Sequence, residues 1–162
     1  MITGLYIASG LIGSNPSAIG ATYANRLVTE TGLFHDRSGV LPSWKIEFTA
    51  VVTNNQAEMW AMLEGLRRLP ESFSGTIYSR SKVTLGRIFD GWKWTNIPSW
   101  IHQIYRVQRK RLLNWSEIRY VLVDAKNEHY KWCEQACRES AESFMATIGA
   151  NIPSTMELEN AI

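Results

Sequence analysis

The sequence has few cysteines, and both lie in one short segment. Cys133 and Cys137 are the only two among 162 residues. They are four residues apart in a stretch with a helical pattern. Side chains at that spacing follow one helix face without reaching disulfide geometry, so we expect free thiols in a reducing compartment. Two thiols alone make a poor zinc site, which favours core packing for both.

Long apolar runs are also missing from the sequence. None approaches the roughly 18 residues of a membrane span. The opening "MITGLYIASG" has no basic leader followed by an apolar segment of signal-peptide length. We therefore expect a cytoplasmic, non-secreted protein that makes no membrane contact. The length of 162 residues is typical of one domain.

The net charge is small, but the basic residues are unevenly spread. The formal charge is +2. Nine Lys and Arg residues lie between Arg80 and Arg119, and only Asp90 and Glu117 oppose them there. This part of the chain is a candidate surface for a polyanion. A solvated helix face is the alternative, because Lys and Arg favour exposed helix positions.

Apolar periodicity and turn residues predict a mixed α/β sheet with helices packed on it. Three strands come first in series, and a helix, a strand, two helices, a strand and a helix follow. The expected strands are residues 3–8, 19–28, 45–53, 75–79 and 118–124, and the expected helices begin near residues 54, 82, 98 and 130. Residues 31–45 have a loop-like pattern. The first helix is expected to be capped by Asn54 or Asn55, to carry Glu58 in its first turn and to end at Pro70.

Four segments together resemble a known family. They are "SNPSAIGATYA" after the first strand, "TNNQAE" at the first helix, "IYSRSKVTLGRI" after the fourth strand and "WCEQAC" in the last helix. The chain resembles the type 1 ribonuclease H family over residues 4–144, and its phage and actinobacterial members most. The resemblance implies a ribonuclease H-like α/β fold, in which three antiparallel strands and then parallel strands form a five-stranded sheet flanked by helices. We expect this domain at residues 1–146 and a C-terminal tail at residues 147–162.

The resemblance also implies a catalytic site that has been altered. The family cleaves the RNA strand of RNA/DNA hybrids with two Mg²⁺ ions held by four carboxylates, one ion activating water and the other stabilising the leaving oxygen. The corresponding positions here are Ala8, Glu58, Arg80 and Glu134. Glu58 matches the family, and Glu134 replaces the usual aspartate. Ala8 offers no oxygen ligand, and Arg80 reverses the charge.

The charge reversal is the stronger argument against metal binding. Two unit charges about 4 Å apart interact by roughly 4 kcal/mol at an effective dielectric of about 20, and a divalent ion feels about twice that. We expect no metal cofactor, with Arg80 forming an ion-pair bridge between Glu58 and Glu134. Those two glutamates are the expected ligands if Mg²⁺ or Mn²⁺ does bind.

The loop before the last helix contains two further candidates. His129 is a possible replacement for the histidine that family members carry there, and a surface histidine without a role is the alternative. Asp124 is a possible replacement carboxylate in a relocated metal site with Glu58 and Glu134. A loop-capping aspartate is the alternative for Asp124.

Several residues are candidates for nucleic-acid contacts. The resemblance implies backbone and minor-groove contacts for Asn15, Asn54 and Asn55, with Thr53 at a phosphate beside the helix N-terminus. A turn-forming role for Asn15 and a capping role for Asn54 or Asn55 remain open.

The segment "GWKWTNIPSW" stands where family members carry a basic handle. Arg87, Trp92, Lys93 and Trp94 combine phosphate contact with stacking surfaces. Tryptophan is more often part of a core, so we expect one of Trp92 and Trp94 to be buried.

Three functions are compatible with these features. The first is a ribonuclease H-like protein with a dismantled two-metal site that binds an RNA/DNA hybrid or structured RNA without cleaving it. The second is an active Mg²⁺- or Mn²⁺-dependent ribonuclease H, with either a relocated metal site or engineered substitutions at Ala8 and Arg80. The third is a structural subunit that contacts a protein partner or a second copy of the chain through the C-terminal tail.

Overall fold

A single five-stranded sheet organises the chain. The computed structural model describes residues 1–43 and 51–151. The sheet has the order β3-β2-β1-β4-β5. The strands are β1 (Ile2–Ile12), β2 (Gly20–Thr29), β3 (Phe34–Pro42), β4 (Thr76–Ser79) and β5 (Arg119–Leu122), and the helices are α1 (Asn54–Arg67), α2 (Lys82–Phe89), α3 (Ser99–Arg111) and α4 (Glu128–Asn151). Among the described residues, no helix combines the length and the apolar character that crossing a membrane requires.

The pairing of the strands confirms the predicted mixed sheet. β1 runs antiparallel to β2, and β2 runs antiparallel to β3. β4 lies parallel to β1 on its other side and β5 lies parallel to β4. Three antiparallel strands are therefore followed by parallel ones, as the sequence predicts. This order places the end of β4 beside the middle of β1, next to Ile7 and Ala8.

Alternate residues of β1 separate two hydrophobic cores. Leu5 and Ile7 are buried in the larger core with α1. α1 lies very close to the strand there, because a Cβ built on Gly65 would stand 3.0 Å from Ile7 Cδ1. Tyr6 and Ala8 belong to a second core with α4. The methyl group of Ala8 is only 3 % exposed, so it is packing surface as well as one wall of the site described below.

α1 is capped by Thr53, and the prediction of an asparagine cap was wrong. The Thr53 hydroxyl accepts a hydrogen bond from the backbone N–H of Gln56 at 3.2 Å, and the Gln56 side chain accepts one from the backbone N–H of Thr53 at 3.1 Å. This reciprocal pair is a capping box. The sequence predicts Glu58 in the first turn of α1. Because the helix begins at Asn54, Glu58 lies in the second turn.

The third strand lies earlier in the chain than the sequence predicts. β3 is formed by Phe34–Pro42, inside the segment expected to be a loop. β3 is an edge strand, and its central residues are polar on both faces, so it lacks the alternation that identifies a half-buried strand. Most of the segment predicted to be the third strand, residues 45–53, lies outside the described residues. Within its described part, Val52 forms an isolated bridge with Ser17.

The remaining elements agree with the prediction except at the end of the chain. β4, α2, α3 and β5 occur where the sequence places them. α4 was expected at residues 130–144 and instead extends from Glu128 to Asn151. The helix therefore continues into the segment predicted to be a tail. Residues 152–162 lie outside the described residues.

Candidate functional site

A polar cavity of about 110 Å³ lies where β4 ends beside β1 and the start of α1. Four elements contribute to its wall. The side chains that line it include Ala8 and Ser9 of β1, Asn54 and Glu58 of α1, Ser79, Arg80 and Ser81 around the end of β4, and Tyr130 of α4. Three of the four positions carried over from the family therefore meet at one cavity. The fourth, Glu134, lies one helical turn beyond Tyr130 on the same face of α4.

The carboxylate of Glu58 accepts hydrogen bonds from its neighbours. Oε1 accepts one from Asn54 Nδ2 at 3.1 Å. Oε2 accepts one from the Ser81 hydroxyl at 2.5 Å, and the Thr84 hydroxyl lies 3.4 Å away. Ser81 is also the N-cap of α2, where its oxygen accepts the backbone N–H of Thr84 at 3.2 Å. Glu58 thus connects the start of α1 to the start of α2.

Arg80 is exposed, and the predicted ion-pair bridge does not form. Among the described residues, no carboxylate lies within 4 Å of its guanidinium, so it pairs with neither Glu58 nor Glu134. Its closest recorded contact is with the ring of Tyr130, whose centroid is 5.9 Å from Arg80 Cζ. The oxygens of Glu58 instead accept hydrogen bonds from the local donors Asn54 and Ser81. The positive charge of Arg80 therefore remains available to a ligand at the cavity.

Tyr130 lies between the charges of Arg80 and Glu134. Its side chain is 9 % exposed. Burial, and after it the charge of Glu134, raises the pKa of Tyr130 to about 12, while Arg80 acts in the opposite direction. The phenol therefore stays neutral at physiological pH. Tyr130 lines the cavity and Glu134 is not among its lining residues, which the sequence did not predict.

The side chains around the cavity are a poor fit to a pair of divalent ions. Within residues 1–43 and 51–151, no three His, Cys, Asp or Glu side chains cluster closely enough to hold a metal ion. Two hydrated divalent cations need several anionic oxygen ligands. The cavity offers a methyl group at Ala8, a cation at Arg80 and, from Glu58, oxygens that already accept hydrogen bonds.

Asp124 belongs to a turn and does not join a relocated metal site. Its Oδ1 accepts a hydrogen bond from the backbone N–H of Lys126 at 2.7 Å, and its carbonyl accepts one from Asn127 at 3.0 Å. The structure does not bring it together with Glu58 and Glu134 in a metal-binding cluster. The loop-capping alternative describes its contacts.

His129 faces the sheet and not the cavity. Its Nδ1 lies 3.3 Å from Arg26 Nη1, and its ring packs against Tyr6 with a centroid distance of 4.7 Å. Because the guanidinium can only donate, the histidine nitrogen must be the acceptor. Arg26 is held in turn by both oxygens of Asp36, at 2.8 and 3.0 Å. The histidine is therefore part of a contact between α4, β2 and β3.

The predicted nucleic-acid-binding residues at the start of α1 do lie together. The side chain of Asn15 accepts a hydrogen bond from the backbone N–H of Asn54 at 3.2 Å. Ser17 and Val52 exchange backbone hydrogen bonds of 2.8 Å, which attaches the turn after β1 to the chain entering the helix. Asn55 is exposed, and its side chain makes no hydrogen bond among the described residues.

These contacts give each asparagine a distinct position. Asn15 and Asn54 are exposed but already contribute structural bonds, which include the bond from Asn54 to Glu58. Asn55 remains available for a ligand. The Thr53 hydroxyl is used in the capping box, so its predicted phosphate contact competes with the cap.

Arg87 holds the segment after α2 by hydrogen bonds to its backbone carbonyls. This arginine is only 8 % exposed, which corrects its expected role as a phosphate contact. Its Nε donates to the carbonyl of Lys93 at 3.3 Å, and its Nη2 lies 3.5 Å from the carbonyl of Thr95. Burial among backbone carbonyls makes it an internal support. Lys93 itself is exposed, and its phosphate contact stays a prediction.

The two tryptophans of this segment have different environments. Trp94 is half-buried, donates from Nε1 to the carbonyl of Arg87 at 2.9 Å and packs against Tyr105. Trp92 is 42 % exposed. Its ring lies directly on α2, because a Cβ built on Gly86 would stand 2.2 Å from its Cδ2. Trp92 is therefore the member of the pair with a surface available for stacking.

Sequence reasoning missed the side chains that occupy the Glu58 oxygens and the cavity wall. Ser81 and Thr84 could have been found from the pattern of a serine followed three residues later by threonine at a helix start. Tyr130 could have been found from its spacing of four residues before Glu134. Ser9 and Ser79 gave no signal in the sequence.

Comparison with known proteins identifies the fold. No protein-family model matches the chain, and no curated protein matches it either. Solved structures do match. LC11-RNase H1, isolated from compost by a metagenomic approach, has 16% sequence identity and a TM-score of 0.67, over 90% of this chain and 99% of the other.

Other similar structures are also of RNase H1. The enzyme from the halophilic archaeon Halobacterium salinarum NRC-1 has 14% identity and a TM-score of 0.64, over 86% of this chain and 97% of the other. A structure of LC11-RNase H1 in complex with an RNA/DNA hybrid has 15% identity and a TM-score of 0.65, over 88% of this chain and 98% of the other. The chain therefore has the type 1 ribonuclease H fold, as its four sequence segments predicted.

Proposed function

We propose that this protein binds an RNA/DNA hybrid, or structured RNA, at the start of α1 and does not cleave it. One observation carries the proposal. Among the described residues that line the cavity, Glu58 is the one carboxylate, and Asn54 and Ser81 donate hydrogen bonds to it. Ala8 and Arg80 occupy neighbouring positions of the same wall. This arrangement favours a structural role for Glu58 and disfavours a pair of divalent ions.

The binding half of the proposal rests on side chains beside the cavity. Asn15, Asn54 and Asn55 are exposed around one helix N-terminus, and Arg80 has a free charge next to them. Amide groups donate to and accept from sugar and base edges, and an arginine binds phosphate. The neighbour that holds an RNA/DNA hybrid has the same fold, which supports this class of ligand.

A binding titration tests the first half. Fluorescence anisotropy of a labelled hybrid should give saturable binding that an unrelated acidic polymer competes for poorly. Asn55→Ala should weaken it by about fivefold, the equivalent of roughly one hydrogen bond. Gln103→Ala, an exposed amide on α3, is the matched control. Hybrid binding no tighter than polymer binding would refute the proposal.

A restoration experiment tests the second half and the active-nuclease alternative together. The protein as it stands should leave a labelled hybrid intact in Mg²⁺ or Mn²⁺. The double variant Ala8→Asp with Arg80→Asp should regain metal-dependent cleavage, because it supplies two anionic ligands and removes the cation. Metal-dependent cleavage by the unaltered chain would instead establish the alternative, an active ribonuclease H.

Two further predictions accompany this function. The protein acts inside the cell, and its C-terminal segment, residues 147–162, contacts a protein partner or a second copy. Light scattering of the full chain, with and without hybrid, tests the second prediction. A monomer in both samples would contradict self-association through that segment.

A further inference from the structure

A second cleft lies at the other end of α1. It is open to solvent and has a volume of about 490 Å³. α1 has 14 residues, and a helix rises about 1.5 Å per residue, so its ends lie about 20 Å apart. The cleft is therefore separate from the cavity beside Asn54. Its polar lining consists of His35, Arg37, Glu64, Arg67 and Arg68.

Strand alternation places the basic side chains of β3 on this face of the sheet. Arg37 is paired in register with Asn25 of β2, and His35 is paired with Leu27. Leu27 belongs to the core under α1, so His35 and Arg37 are on the α1 side. Asp36 lies on the opposite side, where Arg26 holds it. The acidic residue of β3 is therefore turned away from the cleft.

The charged side chains that line the cleft have an excess of positive charge. Glu64 is the single acid among the described residues that line the cleft, and Glu64 Oε1 is 2.9 Å from Arg67 Nη1. Arg37 is exposed, and its side chain makes no hydrogen bond or ion pair within the described residues. Arg68 has no carboxylate partner there either. Two guanidinium groups thus share the cleft without an ion-pair partner among the described residues.

Arg68 is held in place by uncharged acceptors. Its Nη1 donates to the side-chain oxygen of Asn25 and to the carbonyl of His35, the latter at 3.2 Å. Burial and then the charge of Arg37 lower the pKa of Arg68 from its ordinary value. A like charge beside a partly buried cation is unfavourable until an anion joins them. The cleft therefore combines Arg68, whose guanidinium is held by hydrogen bonds, with Arg37, whose side chain has no such bond among the described residues.

We infer that this cleft binds a phosphate group between Arg37 and Arg68. The planar guanidinium group donates two parallel hydrogen bonds to phosphate oxygens, and two such groups satisfy a tetrahedral anion from two sides. The same chemistry serves a phosphate of a nucleic-acid backbone or a free phosphate compound. Arg67 remains paired with Glu64 and sets one wall of the site.

Titration of the full chain with inorganic phosphate tests the site. Nuclear magnetic resonance should show saturable amide shifts confined to residues 35–37 and 64–68. Arg37→Ala should weaken phosphate binding by at least about fivefold, since one charged hydrogen-bonding partner is lost. Arg119→Ala removes an exposed arginine from β5 and should leave it unchanged. Shifts elsewhere, or equal binding by the Arg37→Ala and Arg119→Ala variants, would overturn the inference.

The salt dependence of hybrid binding identifies the source of the phosphate. If the cleft holds backbone phosphate, Arg37→Ala should reduce the slope of log affinity against log salt by about 0.7 to 0.9, and Arg119→Ala should not. An unchanged slope, with phosphate binding intact in the unaltered chain, identifies a free phosphate compound. The Asn55→Ala change, which should weaken hybrid binding, should leave the phosphate titration unaffected. The two experiments can therefore refute this inference and the proposed function independently.

Discussion

Glu58 has the residue type of a metal ligand but the contacts of a structural residue. Two donors, Asn54 and Ser81, bond its two oxygens, and they belong to different helix starts. Hydrogen bonds to a charged group each stabilise a fold by about 1.5 to 3 kcal/mol. The central question about this protein at the residue scale is therefore which of the two roles Glu58 performs.

Glu58→Ala should lower the free energy of unfolding by about 1.5 to 3 kcal/mol. This is less than the sum of two charge-assisted bonds, because the exposed Asn54 and the half-buried Ser81 can bond to water once Glu58 is removed. Urea denaturation measures this. Glu134→Ala is the matched control and should change stability by less than about 0.5 kcal/mol, since Glu134 makes no hydrogen bond among the described residues. Equal stability of the two variants would contradict the structural role.

Arg26 connects three elements of the fold, β2, β3 and α4. Its guanidinium pairs with Asp36 and lies over the rings of Phe34 and Trp132, 4.3 and 4.6 Å from their centroids. It also contacts His129 at the start of α4. The arginine is 8 % exposed, so the charge is largely desolvated and depends on these partners.

Arg26→Met should lower the free energy of unfolding by about 2 to 4 kcal/mol, because it leaves Asp36 without its partner. Partial exposure of Asp36 keeps the loss below that of a fully buried pair. Arg37→Met is the control, because Arg37 follows Asp36 in β3 and pairs in register with Asn25 of β2. It should change the free energy of unfolding by less than about 0.5 kcal/mol. Chemical denaturation compares the two variants. A similar loss in both would show that Arg26 does not hold the elements together.

α4 carries buried thiols whose ionisation should weaken the fold at high pH. Burial raises the pKa of Cys133 to about 12 and that of Cys137 to about 11, from an ordinary value of 9.0. Both thiols stay neutral in the folded protein at a pH where they ionise in the unfolded chain. Their contribution to stability is therefore complete below about pH 8, well under the ordinary pKa of 9.0, and is lost as the pH rises towards about 11 to 12.

This predicts a falling free energy of unfolding between about pH 8 and about pH 10.5. The double variant Cys133→Ala with Cys137→Ala should show a shallower fall, because two of the responsible groups are gone. Urea titrations across that range measure both. A slope identical to that of the unaltered chain would refute the assignment to these thiols.

An element is predicted well from the sequence where one of its faces is apolar. It is predicted poorly where charged side chains lie on both faces. α1 and β1 show their periodicity plainly. β3 does not, because Asp36 faces Arg26 on one side and Arg37 faces the cleft on the other. The capping box of Thr53 and Gln56 was present in the sequence as threonine followed three residues later by glutamine, and the neighbouring asparagines obscured it.

The same difference applies to the site. The sequence motifs assign Ala8 to β1, Glu58 to α1 and Arg80 to the residue after β4, and these elements bring the three residues to one cavity. The partner of each side chain could not be predicted. Ser81 at the Glu58 carboxylate, Tyr130 near Arg80 and the carbonyls around Arg87 depend on tertiary packing that no local pattern records.

The whole molecule has the type 1 ribonuclease H fold, and its cavity is lined by Ala8, Glu58 and Arg80. The chain shares 16% identity with LC11-RNase H1 at a TM-score of 0.67 over 90% of its length. Fold and activity are separable, because activity depends on a few side chains placed on the fold. The proposed site at the start of α1 and the proposed phosphate cleft at its other end both use surfaces that do not require divalent ions.

The most direct test of the central claim measures binding and cleavage on the same sample. A labelled RNA/DNA hybrid is titrated with the full chain in chelator, in Mg²⁺ and in Mn²⁺ at constant ionic strength, and the RNA strand is then sized on a gel. Our account predicts equal affinity under all three conditions and an intact RNA strand. Cleaved RNA in either metal, or binding that requires the metal, would contradict it.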